Sequence, residues 1–171
     1  MLESWALMGD FGPAALQGPE PPTGLEPLIR HILERYHDVH RTEFPEAIRL
    51  ARKVEAVLAE HDDCPRGLAD HLATMFDELE AHQQREEKML FPTILQGGCS
   101  VVRFPIVRMM VEHRDQEAQL ARLRILTRNH TAPEGACRSW RALAEACRKL
   151  DDDLTAHMRL ENEELFAPFL E

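Results

Sequence analysis

Apolar positions in this chain recur at steps of three and four over four long stretches, separated by short runs containing Gly, Pro, Asn and Asp. Such steps place residues on one face of an α-helix. Strand-type alternation is absent, and the helix formers Ala, Leu, Glu and Arg dominate. The breaks fall at Asp62–Gly67, Gln96–Pro105 and Asn129–Pro133, which predicts segment A near 25–61, B near 67–95, C near 105–129 and D near 133–167. Thr23 and Glu26 open segment A with capping-box spacing, and Thr131 and Glu134 repeat that spacing ahead of segment D. Pro45 lies inside segment A and predicts a kink or a division there. Four helices of this length with short links predict an all-α fold, an up-down-up-down four-helix bundle over residues 25–171. Residues 1–24 hold four Gly and four Pro without sustained periodicity and read as a flexible, irregular N-terminal segment.

The seams of these helices carry an anomaly. In segment B the seam runs Leu68, Leu72, Met75, Leu79, His82, Glu86, and in segment D it runs Leu143, Cys147, Leu150, Leu154, His157, Glu161, with identical steps. Segment A contributes Leu33, His37, His40, Phe44, Ala47, Ala51, Val54 and Leu58; segment C contributes Ile106, Met109, His113, Glu117 and Leu120. Polar side chains thus enter the core face of all four helices. Buried charges without partners are penalised by several kcal/mol each, and a metal ion removes that penalty. Imidazole and carboxylate suit iron, manganese or zinc, and a carboxylate can bridge two ions.

The motif is also duplicated. His82-Gln-Gln-Arg-Glu86-Glu-Lys-Met-Leu90-Phe-Pro92 and His157-Met-Arg-Leu-Glu161-Asn-Glu-Glu-Leu165-Phe-Ala-Pro168 share the form H-x3-E-x3-L-F followed by proline. His37 precedes His82 by 45 positions and His113 precedes His157 by 44. Two helix pairs, each giving one lone His and one His-x3-Glu, predict a pseudo-twofold site of four His and two Glu. That inventory suits two metal ions bridged by Glu86 and Glu161, with His37 and His82 expected on one and His113 and His157 on the other. Only Glu34 and His37 have the Glu-x-x-His form of ferritin-type sites, a weaker match. His40 reads as a core histidine or one flanking the site, with a further ligand as the alternative.

Composition narrows the function classes. At 171 residues the chain is sized for one domain, and 20 Lys and Arg against 30 Asp and Glu give a net charge of −10, which argues against nucleic acid as partner. No stretch approaches the ~20 apolar residues of a membrane span. The N-terminus has no basic start ahead of its apolar residues, so no secretory signal is expected and the location expected is cytoplasmic. Cys64, Cys99, Cys137 and Cys147 show no paired spacing and read as packing thiols. Of the nine histidines, His31 reads as structural, and His61, His71 and His130 as solvated near helix ends or outer faces. Asp151–Asp153 reads as an exposed turn of segment D. No nucleophile, general base or phosphate loop stands out, so the sequence does not require turnover and leaves enzyme status open.

The run Leu28-Ile-Arg-His-Ile32, Arg35-Tyr-His37, Lys53-Val-Glu55, the two H-x3-E helices and Glu112-His113 resembles the hemerythrin-like domain of the repair-of-iron-centres family over about residues 25–169. The resemblance implies a non-haem di-iron centre, oxo- or hydroxo-bridged, with His37, His82, Glu86, His113, His157 and Glu161 as ligands. It also implies responses to nitric oxide and oxidative stress and donation of iron to a damaged iron–sulfur apo-protein. The alternative is a protein that binds or senses oxygen or nitric oxide without turnover; a minor third reading is a di-iron oxidase or peroxidase. Three departures stand out. Residues 1–24 carry no match to the family's N-terminal cysteine-pair domain. Leu58 replaces a histidine of some members, ~31 Å along a straight helix from His37 and too far to serve the same site. Glu117 stands where members often have glycine, and is expected to add a carboxylate to the metal beside His113.

Overall fold

A computed structural model of the chain describes residues 24–97 and 101–170. Thr23 with the first capping box, residues 1–23 of the N-terminal segment, and Cys99 lie outside them. The first rod comprises α1 (Leu25–Ile32), a π-helical segment Leu33–His37 and α2 (Asp38–Val57). The second comprises α3 (Leu68–Arg85), a π segment Glu86–Leu90 and α4 (Phe91–Leu95). The third is α5 (Arg103–Leu126). The fourth comprises α6 (Arg138–Leu160), a π segment Glu161–Phe166 and a short 3-10 turn, Ala167–Phe169. Among the described residues there is no strand.

Several boundaries differ from expectation for identifiable reasons. Pro45 does not divide α2: it is exposed, while Phe44, Ala47, Ala51 and Val54 on the opposite stripe are buried and hold the rod to its neighbours. The capping box at Thr131 and Glu134 does not start the fourth rod, because Gly135 turns the chain with a φ of 78° and the N-cap is Cys137. After α5 the chain reverses through Arg128, Asn129 and His130, with φ of 52°, 54° and 58°. The Asn129 amide donates to the Arg124 carbonyl at 2.7 Å and the Arg128 amide to the Ile125 carbonyl at 3.2 Å, which satisfies the helix end, and the His130 amide is taken up by Thr127 Oγ1 at 3.1 Å.

Around the bundle, α2 packs on α3 and α6, α3 on α5, and α5 on α6, the ring of neighbours of an up-down-up-down bundle. The core has two apolar parts. One gathers Phe44, Leu72, Met75, Leu79, Leu120, Leu150 and Leu154. The other gathers Ile29, Ile32, Phe91, Ile106, Met109 and Phe166 toward the end where α1 begins. Along every rod the seam histidines and glutamates fall between these two parts, so the polar layer is closed by apolar side chains on both sides. No helix of the described residues is long and apolar enough to cross a membrane.

Candidate metal centre

Each rod brings its polar seam residues to one level by regular helix geometry, and three of the four use a π turn there. The Asp38 amide donates to the Leu33 carbonyl and the Phe91 amide to the Glu86 carbonyl, the five-residue spacing of a π-helix. A π turn inserts one residue into the α-helical count. The seam can therefore step five positions from Ile32 to His37 and from Glu86 to Phe91 while staying on one face. His37 closes the first π segment, and Glu86 and Glu161 open the other two.

His37, His82, Glu86, His113, His157 and Glu161 are all fully buried and converge. Their donor atoms form two sets, His37 with His157 and His82 with His113, and both sets include Glu86 and Glu161; within each set the atoms lie within 4.8 Å of one another. His37 Nε2 faces His157 Nε2 at 3.2 Å, and His82 Nε2 faces His113 Nε2 at 3.1 Å. Glu86 reaches both sets, with Oε2 3.5 Å from His37 Nε2 and Oε1 3.4 Å from His82 Nε2. Glu161 does the same, with Oε1 3.0 Å from His157 Nε2 and Oε2 3.2 Å from His113 Nε2. Atoms that share one ion at about 2.0–2.2 Å stand about 3–3.5 Å apart, so these separations fit metal coordination.

The expected pairing of His37 with His82 and of His113 with His157 is therefore corrected. In a ring of four helices each rod touches two neighbours, and the seam register does not say toward which an inward side chain leans. His37 leans to the fourth rod and His82 to the third. Glu117 is exposed on a surface groove beside Asn162 and Glu163, outside both sets. Strict three–four alternation after His113 continues through Gln116, which is buried, to Leu120. His40 is fully buried but belongs to neither set.

The electrostatics of the layer suit a cation. Both Glu86 carboxylate oxygens and Glu161 Oε2 are buried without a hydrogen-bond partner, the condition that a cation relieves. Burial and the Glu161 carboxylate beside it push the Glu86 carboxyl up. Burial acts the same way on Glu161, yet His157 and His113 outweigh it and hold that carboxyl well down. Burial together with His157 presses His37 down to about 2. His82 is disfavoured as a cation by burial, but Glu86 and Glu112 overcome this and raise it to about 10.

Behind the inward nitrogens stands a ring of residues that seam periodicity does not find. His37 Nδ1 donates to Glu87 at 2.8 Å, and Arg41 holds that carboxylate at 2.8 Å. His82 Nδ1 donates to Glu112 at 2.8 Å, with Arg85 at 2.6 Å and Arg108 at 3.0 Å. His113 Nδ1 donates to Asn162 at 2.9 Å. Each backing residue sits one place beyond a seam residue or before one, which is the only trace it leaves in sequence. Such partners fix the tautomer and aim of a ligating imidazole. The solvation expected of Asp151, Asp153 and His130 is not what the structure shows. Asp151 and Asp153 are buried, and His130 is held on Asp151 at 2.7 Å. Cys137 is exposed, whereas Cys64 and Cys147 are buried. The His71 ring reaches the Gln119 carbonyl at 2.9 Å, and His61 is exposed against Trp140.

Fold and site together define a helical-bundle protein with a buried histidine–carboxylate centre of two joined donor sets. Residues 28–169 match the hemerythrin HHE cation binding domain, and the chain belongs to that family. It is 48% identical over 143 residues to the iron-sulfur cluster repair protein DnrN of Neisseria gonorrhoeae, which covers 84% of this chain and 90% of that protein. Over 139 residues it is 45% identical to the iron-sulfur cluster repair protein YtfE of Yersinia pseudotuberculosis and 43% identical to that of Dickeya chrysanthemi. Those matches cover 81% of this chain but only 63% of each YtfE protein.

Proposed function

We propose that the chain holds two iron ions and serves the repair of iron–sulfur clusters damaged by nitric oxide or oxidative stress in the cytoplasm, its partner an iron–sulfur apo-protein that accepts iron. The carrying observation is that Glu86 and Glu161 each reach both imidazole pairs, so the two donor sets share two carboxylates. In this reading His37 and His157 would hold one iron and His82 and His113 the other, with Glu86 and Glu161 offering a carboxylate oxygen to each. Four neutral imidazoles and two carboxylates are fewer donors than two octahedral ions would take, so a small ligand such as nitric oxide or oxygen could bind as well. Bound iron supplies Lewis-acid and one-electron chemistry. The chain's residues hold and orient it: Glu87, Glu112 and Asn162 set the inward nitrogens, while Phe91 against His37 and Phe166 against His113 wall the layer from water. The iron-sulfur repair function named for the relatives supports iron over zinc or manganese as the resident metal.

The test is metal analysis of the purified chain, followed by incubation of the loaded protein with an apo iron–sulfur protein. About two irons per chain and reconstitution of the acceptor's cluster are expected. Reversible gas binding without transfer would instead support the binding or sensing reading.

A further inference from the structure

Three of the four inward imidazoles have an outer partner, and the fourth does not. His157 Nδ1 is buried and carries no hydrogen bond. His40 Nε2, on α2 one turn beyond His37, is in the same condition. The two rings stand 5.5 Å apart, centroid to centroid. His37 and His157 stand 5.0 Å apart and bring their nitrogens to 3.2 Å. At the 5.5 Å spacing of His40 and His157, two imidazole rings can bring nitrogens that point at one another to hydrogen-bond distance. Tyr36, stacked on His157 at 5.1 Å and close to His40 at 6.3 Å, covers the pair on one side, and Phe44 lies edge-on to His40 at 6.2 Å. Both unpartnered nitrogens lie among packed rings, and a bond between them would satisfy each.

We propose that His40 is a positioning residue of the metal centre, bonding to His157 Nδ1 through its own Nε2. This rests on the reading of His157 as a ligand through Nε2. A neutral imidazole that ligates through Nε2 carries its hydrogen on Nδ1, so His157 donates and His40 Nε2 accepts. His40 then carries its hydrogen on Nδ1, where the Gln83 amide lies at 3.1 Å. The oxygen end of that amide accepts it, since which end of a glutamine amide faces a neighbour is set by the hydrogen-bond network. The chain His157–His40–Gln83 is uncharged throughout. Each donor set then pairs one imidazole backed by a carboxylate (His37 on Glu87, His82 on Glu112) with one backed by a neutral side chain (His157 on His40, His113 on Asn162). A neutral backing raises ligand basicity less than a carboxylate does. The His40 and Asn162 sides are the weaker holds of the two sets.

The experiment compares wild type, His40→Leu and His40→Gln. Imidazole nitrogen NMR of the metal-free chains reads the bond directly: His40→Leu is expected to shift the His157 Nδ1 resonance, and His40→Gln to restore much of it. Iron-loaded proteins are then exposed to a chelator, with Mössbauer spectra to tell the two irons apart. One iron of His40→Leu is expected to leave about 10–100-fold faster than in wild type while the other keeps its rate, with His40→Gln in between. An unmoved His157 resonance, equal acceleration of both irons, or His40 found directly on a metal would overturn the proposal. If wild type takes up no metal, the proposed function falls, and the metal-free spectra still decide the His40–His157 bond.

Discussion

Glu86 has both carboxylate oxygens buried and no hydrogen-bond donor to satisfy them, and this is the strongest residue-level sign that the layer is built around cations. Glu86→Ala or Glu161→Ala is expected to abolish most of the iron content, because each change removes an oxygen from both donor sets at once. Glu117→Ala, on the exposed groove, is expected to leave iron per chain at the wild-type value; parallel metal analysis of the three variants checks this. Glu86 and Glu161 were legible in the sequence because they sit on a seam that otherwise reads Leu. Glu117 is not legible in this way, because both 113–117–120 and 113–116–120 satisfy helical spacing and only packing against the neighbouring rod buries Gln116 and leaves Glu117 exposed. A second residue-level expectation concerns the thiols. Burial pushes the Cys147 thiol up to about 12, whereas Cys137 is exposed. Alkylation of the native chain, followed by peptide mapping, should label Cys137 and spare Cys147 until denaturant is added.

At the scale of elements, the three π segments are the feature periodicity could not reveal. A reading in steps of three and four has no place for a five-residue step, and Tyr36 and His37, Leu90 and Phe91, and Leu165 and Phe166 are adjacent pairs buried on one face. Such insertions are frequent at functional sites, and here each touches a seam His or Glu. Pro45 shows the converse: a residue that can divide an isolated helix is carried through α2 by tertiary packing. Its ring still removes a backbone donor from α2. Pro45→Ala is expected to stabilise the fold by about 1–2 kcal/mol. The gain in helix propensity is up to about 3 kcal/mol, offset by about 0.4–1 kcal/mol from a more flexible unfolded chain. Chemical denaturation of the two proteins measures it.

Over the whole molecule, ion pairs tie the fourth rod to its neighbours. Arg35 grips Asp153 at 2.6 and 3.1 Å, and Lys149 adds a contact at 2.8 Å. Arg124 binds Asp151 through Nε at 2.6 Å, with His130 on the same carboxylate. Burial disfavours both carboxylates, but their hydrogen bonds outweigh it and hold both below the ordinary 3.8. The folded chain therefore keeps these groups charged to lower pH than the unfolded chain. The stability they add is fully present above about pH 4 and is lost as pH falls below that. Asp151→Asn is expected to cost about 1–2 kcal/mol at neutral pH, toward the lower end because Arg124 is partly exposed, and the difference from wild type should shrink below pH 4. Denaturation curves at pH 7 and pH 3 test both statements. Asp151–Asp153 read as solvated from sequence because three adjacent acids look like an exposed turn. The partners that bury them, His130 and Arg124 on Asp151 and Arg35 on Asp153, come from positions 21 to 118 residues away, beyond any local pattern.

The sequence by itself determined that the chain forms helices, that four of them share one core, and that four histidines and two glutamates interrupt that core. Each of these follows from periodicity along a single rod, where the peptide geometry is known in advance. Tertiary structure decided which imidazoles face each other, which acids stand behind them, and where one extra residue is absorbed in a helix. Those outcomes depend on contacts between rods, and the spacing of residues within one rod carries no record of them.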